Sequence, residues 1–164
     1  MPFDGFIKID GIEGESNDSK HKNEIEILSY SWGVSQAITG TASSTGTFTG
    51  QRADFSALSF HHQLDKASPK LAAACAGGDH LKSAVLVLSR AGGDKQAYME
   101  YKMSDVLVSS VRVGGANQGE GGVPIEEVSL NFGKIEWKYT VIGIDGKAAG
   151  NVSAGWSLKE NKKA

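Results

Sequence analysis

Residues 24–36 read EIEILSYSWGVSQ, and the apolar positions change parity partway along. Ile25 and Ile27 are odd, whereas Leu28, Tyr30, Trp32 and Val34 are even. Successive side chains of a β-strand point to opposite faces, so one regular strand burying one face keeps one parity. The reversal at Ile27–Leu28 therefore predicts a bulge or sharp coil there. Two later stretches repeat the pattern. Val106 and Val108 give way, past Ser109-Ser110, to Val111 and Val113; Val128, Leu130 and Phe132 give way, past Gly133, to Ile135, Trp137, Tyr139 and Val141. Three such reversals point to long strands that bend or bulge, so that each half buries a different face.

The rest of the chain fits a mostly β fold. Its 164 residues suffice for one domain with a real core, and 21 glycines against 3 prolines suit short strands, turns and bulges. Phe6–Ile9, Asp54–Leu64, Leu81–Arg90 and Gln96–Met103 read as further strands. Ala91-Gly92-Gly93-Asp94 reads as a hairpin turn between the last two. The uninterrupted VLVL at 85–88 predicts a strand covered on both faces. One helix is expected at about 69–76, with Ser68 as N-cap, Pro69 in the first turn, LAAACA as its body and Gly77-Gly78 as its stop. The Ser/Thr/Gly-rich segment from Thr39 to Gly50 buries little. It reads as an exposed loop or mobile hairpin, part of an extended loop at about 37–54.

Chemistry is sparse. His61 and His62 are adjacent, so in a strand their rings point to opposite faces and do not chelate one metal together, and no other histidine stands at a recognised ligand spacing. Cys75 sits near the C-terminal end of the helix, where the dipole disfavours a thiolate; a small hydrophobic role is expected. The loop GGANQGEGG (114–122) lacks the GK[ST] ending of a phosphate loop. No catalytic, cofactor or metal site is expected, and the chain is read as a non-enzyme. A net charge of −2, with Lys and Arg dispersed, argues against a nucleic-acid partner. No apolar run is long enough for a membrane span or a cleaved signal peptide. Apolar residues on both faces of several strands predict a barrel-like assembly subunit with an exposed interface. The alternative is a stand-alone ligand-binding β-barrel, its cavity lined by Trp32, Phe132, Trp137 and Trp156.

FIKIDGIEGES, EIEILSYSWGVSQ, LDKASPKLAAACAGGDH, VLVSSVRVGG and EEVSLNFGKIEWKY together resemble, in order and spacing, the haemolysin-coregulated proteins (Hcp) of the bacterial type VI secretion system, from about Phe6 to Tyr139. The resemblance implies a single Hcp-like tube domain over 1–164: a β-barrel of two packed antiparallel sheets with one short flanking helix, closing into a homohexameric ring. Rings would stack into a tube driven by a sheath behind a spike. They would be exported from the bacterial cytoplasm without a cleaved signal and would carry small effector proteins in the lumen. The chain ends soon after the matched region, as expected of the plain tube subunit. Ser31 falls in the SYSWG motif on a strand that faces the lumen in the family. Alternation places Ser29, Ser31 and Ser35 opposite Tyr30, Trp32 and Val34, so these serines are the candidate effector contacts. The segment bearing Thr39, Thr41, Thr45, Thr47, Phe48 and Thr49 matches the family's extended loop, the candidate contact with the next ring.

Overall fold

A computed structural model describes residues 2–39, 49–117 and 122–164. Thr41, Thr45, Thr47 and Phe48 of the expected inter-ring loop lie outside the described residues. Eleven strands and one helix follow in order: β1 (Phe3–Ile9), β2 (Ile25–Ile27), β3 (Ser29–Ser31), β4 (Val34–Thr39), β5 (Thr49–Phe55), β6 (Leu58–Gln63), α1 (Ser68–Gly77), β7 (His80–Arg90), β8 (Ala97–Gly114), β9 (Ile125–Ile142), β10 (Ala148–Ser157) and β11 (Lys162–Lys163). All pairings between these strands are antiparallel. The large sheet runs β11-β10-β9-β8-β7-β1-β2, and β6 joins it through the first half of β9 and carries β3 on its other side. β4 and β5 form a separate two-stranded ribbon.

The expected barrel is therefore an open one. β2 and β3 follow each other in the chain, but β2 pairs with β1 and β3 with β6, and among the described residues no ladder joins the two ends of the curled sheet. Phe60, Ile7, Ile25, Leu58, Leu86, Met103, Leu130 and Ile135 fill the space between its two walls, all fully buried. α1 packs Leu71 and Ala74 against this core. The helix spans one residue more at each end than expected, and Ala67 rather than Ser68 is its N-cap. Ser68 Oγ instead accepts from the Asp65 amide, and Asp65 Oδ1 accepts from the Ala67 amide. Gly78, at φ +63°, takes the left-handed conformation that ends the helix at little steric cost.

Each parity reversal has its own cause. At Leu28 the chain changes partner, leaving β1 for β6; the Leu28 amide donates to the His61 carbonyl and its side chain is half exposed. At Ser109 the β8–β9 register slips by one residue, a β-bulge between Val108 and Ser110. At Gly133 the burial in β9 passes from Phe132 to Ile135, and β8 changes parity directly opposite, from Met103 to Val106 across Asp105. Asp105 is left-handed there (φ +53°), and because both strands turn together the register is unbroken. A Cβ on Gly133 would stand 3.0 Å from Lys159 Cε and 3.1 Å from Asp105 Oδ2, so a side chain at the corner has to displace the tips of both.

Both described flanks of the expected extended loop at about 37–54 are strand. Val34 pairs with Phe55 and Thr39 with Thr49, so a hairpin ladder extends into the segment from both sides. Among the described residues, β4 and β5 supply each other's partner strand. The VLVL run follows a plainer rule: Leu86 and Leu88 are buried, while Val85 and Val87 are half-buried on the other face.

Candidate functional site: a polar four-stranded face

The second wall of the fold is the four-stranded sheet β3-β6-β9-β8, made from the first half of β9 and the last residues of β8. Its inner face carries Tyr30, Leu58, Phe60, Val128, Leu130 and Val108, all within or against the core. Alternation turns the intervening residues outward, and the register aligns them across all four strands. Ser110 stands opposite Ser129, Ser129 opposite Ser59, and Ser59 opposite Ser31. The neighbouring row reads Arg112, Glu127, His61, Ser29 in the same strand order. One row is all hydroxyl; the other carries the charges.

Short bonds knit these rows. Ser59 and Ser129 share a hydroxyl hydrogen bond of 2.8 Å, and Ser29 Oγ lies 3.1 Å from His61 Nδ1. His61 Nε2 faces Glu127 Oε2 at 3.5 Å. The bulge residue Ser109 donates from Oγ to the Ser129 carbonyl (3.2 Å) and Asn131 Oδ1 (3.0 Å). The result is a solvent-facing surface of hydroxyl, amide and charged groups laid directly over the apolar core.

The polar sheet ends in two unpaired edges among the described residues. β3 bonds only to β6; β8 loses β7 after Leu107, so its last residues, through Gly114, bond only to β9. Exposed apolar side chains flank both edges: Leu28 beside β3, and Val113 with Ile125 at the β8 side. Such edges are templates for pairing with another chain.

Of the serines singled out in the sequence, Ser29 and Ser31 lie exposed on this face. Ser35 does not join them. Gly33 separates β3 from β4, and Ser35 is exposed on the ribbon opposite Asp54, while Val34, expected to be inward, is half exposed. Thr39 and Thr49 close the described part of the ribbon as a register pair. Serines 59, 110 and 129 carry no local sign of this role, because only the pairing of distant strands puts them in one row.

Of the aromatics proposed to line a ligand cavity, Trp32 and Trp137 pack on each other and Phe132 packs on Phe55. Trp32 stacks on Trp137 at 5.6 Å, Phe55 lies against both Trp137 and Phe132, and Trp156 is half-buried on β10 opposite Ile135. This spine anchors the base of the ribbon to the core. Tyr30 bonds Tyr101 hydroxyl to hydroxyl at 3.2 Å; burial first, and then that bond, push the Tyr30 phenol well above its ordinary pKa. At the Gly133 corner, Lys159 first and His80 second hold the Asp105 carboxyl below the usual carboxylate range. His61 and His62 face opposite ways: His61 is part of the charged row, and His62 is fully buried.

Fold and face define a class: an antiparallel β subunit whose solvent-facing polar sheet stops at two open edges, a unit suited to lateral assembly. Residues 6–139 match the family model described as "Type VI secretion system effector, Hcp". The chain is 39% identical to Protein hcp1 of Pseudomonas aeruginosa over the full length of both. It is similar to a solved type six secretion system protein (36% identity, TM-score 0.93, covering 99% of this chain and 100% of that one) and to Hcp1 of Salmonella typhimurium (38%, TM-score 0.82, all of both chains). The chain belongs to the Hcp family, the structural tube proteins of type VI secretion.

Proposed function

We propose that the chain is the repeating subunit of a hexameric secretion ring, with the polar face of β3-β6-β9-β8 lining the lumen. The observation that carries this reading is the serine row Ser31-Ser59-Ser129-Ser110, bounded by unpaired edges on both sides. Apposing the β3 edge of one copy with the free end of β8 in the next would satisfy the idle backbone groups and cover Leu28 and Val113. Repeated around a ring, the two rows become a hydroxyl band beside a charged band. Such a wall stays wet and offers small effectors shallow, polar contacts that release as readily as they form.

Rings stack into a conduit within a sheath and behind a spike, leave the bacterial cytoplasm without a cleaved signal, and carry effectors in the lumen. The ribbon with Thr39 and Thr49 projects exposed Ile38 and Val34 and is the contact offered to the neighbouring ring. Replacing Ser31 by Trp tests the assignment. Rings should form as before, by native mass, while effector retention in pull-down falls. A variant that keeps its rings and retains effector as well as the unaltered chain does overturns the lumen assignment.

A further inference from the structure

Two hollows of about 350 and 320 Å³ lie side by side between β1, the loop before β2 and the end of β6; Glu15, Ser16 and Glu26 line both. Their walls are acidic. Asp4, Glu15, Asp18, Glu26 and Asp65 stand against one cation, Lys95, whose ammonium Asp18 Oδ2 already takes at 3.0 Å. Among the described residues, Asp4, Glu15 and Glu26 have no ion-pair partner. Behind Asp65 the shortage of donors continues. The fully buried His62 gives its Nε2 proton to Glu126 Oε1 at 2.8 Å, which leaves Nδ1 a bare acceptor. Nδ1 has no hydrogen-bond partner and points at Asp65 Oδ2, a second acceptor, 3.8 Å away. Two acceptors thus meet at the floor of the hollow with no proton between them, a costly arrangement in a buried place. An ammonium, with three N–H groups and no acceptor, is the group such a floor lacks.

We infer that this acidic hollow seats the basic C-terminal strand of a second copy, through Lys162 and Lys163 of β11, so that copies join head to tail. The chain's own β11 does not reach it. Leu158 donates to the Gly133 carbonyl, and Lys162 pairs with Ser157 beside Lys134, which fixes β11 at the corner of β9. The hollow lies at the opposite end, where Gln63 pairs with Ile125 and Leu64 donates to the Pro124 carbonyl. From Ile125 to Gly133, at about 3.4 Å per residue, is roughly 27 Å. The second wall agrees: Asp4 is in register with Ser89 and Ser89 with Ala97 at the start of β8, whereas Lys159 pairs with Asp105 at its corner. Lys162 and Lys163 are exposed, and the partner of Lys162, Glu160, is an exposed surface contact that exchanges at little cost. Acid at one end and base at the other make a heterologous contact that repeats in one direction and repels a reversed neighbour. The inference deepens the stacking reading and is separate from the lateral contact, which uses the edges of β3 and β8.

A carbodiimide joins only amines and carboxylates already in contact, and an equal mixture of unlabelled and isotope-labelled protein marks links between copies by their mass. Links should run from Lys162 or Lys163 to Asp4, Glu15, Glu26 or Asp65, always between copies, and should fade as salt rises from about 0.05 M to about 1 M. Lys162→Glu with Lys163→Glu, or Glu15→Lys with Glu26→Lys, alters only exposed side chains. Either pair should weaken association beyond a single ring roughly tenfold in sedimentation, and all four changes together should restore it. Native mass reads ring closure in the same samples, so failure of the ring and failure of this contact show separately. Tail lysines that form no links, or link only to carboxylates elsewhere, overturn the inference. So does association that ignores either reversal, or that the fourfold exchange does not restore.

Discussion

The two halves of β9 are one strand doing two jobs. From Ile125 to Phe132 it lies between β6 and β8 and buries its even residues, leaving Glu127, Ser129 and Asn131 outward on the polar face. Beyond Gly133 it lies between β8 and β10 and buries Ile135, with Lys138 and Tyr139 toward the surface. Opposite every step of this change, β8 does the same across Asp105, so the pair turns a corner without losing register. A change of buried parity therefore signals a change of sheet neighbour as readily as an inserted residue. The three reversals of this chain show a partner swap, a bulge and a paired corner.

That comparison can be broken at several points. Leu130→Ala and Ile135→Ala remove fully buried side chains of opposite parity. Each should cost about 2–5 kcal/mol in urea unfolding, and a near-neutral result at either would mean that half of β9 does not bury the face described. Gly133→Val puts branched carbon against Lys159 and Asp105 and should cost about 1–3 kcal/mol, whereas the same change at an exposed strand site should be nearly silent. Ser129→Ala deletes the hydroxyl shared with Ser59 and should cost roughly 0.5–1.5 kcal/mol, against no more than about 0.5 for Lys138→Ala in the other half.

The smallest effect is electrostatic. Asp105 is depressed by Lys159 first and His80 second, so its contribution is present above the ordinary carboxylate pKa and fades as pH falls through the depressed folded value. Lys159→Met should raise the Asp105 titration, read by NMR, and shrink the acid-side loss of melting temperature. An unchanged titration would remove Lys159 from the corner.

Local patterns carried much of this into the sequence. The helix, the hairpin at Ala91–Asp94 and all three reversals could be read from spacing and turn residues. The cause of each reversal could not, because a partner swap, a bulge and a corner give the same local pattern; the change of parity within β8 itself, at Asp105, was hidden by a left-handed aspartate. Ser29 and Ser31 were legible by alternation, but the same rule carried past Gly33 misassigned Ser35, since alternation holds only while the strand continues. The serine row needs the register of four strands drawn from residues 29 to 131, and the His62–Glu126 pair spans 64 positions. Such pairings are set by the core as a whole.

The central claim is that copies of the chain close into a ring with the serine row facing the hole. Electron microscopy of the purified protein, taken to side-chain detail, tests it in one measurement. The account predicts closed six-fold rings in which Ser31, Ser59, Ser129 and Ser110 line the lumen and β3 lies against the end of β8 in the next copy. A monomer at high concentration, or a ring whose serine row faces outward, would contradict it.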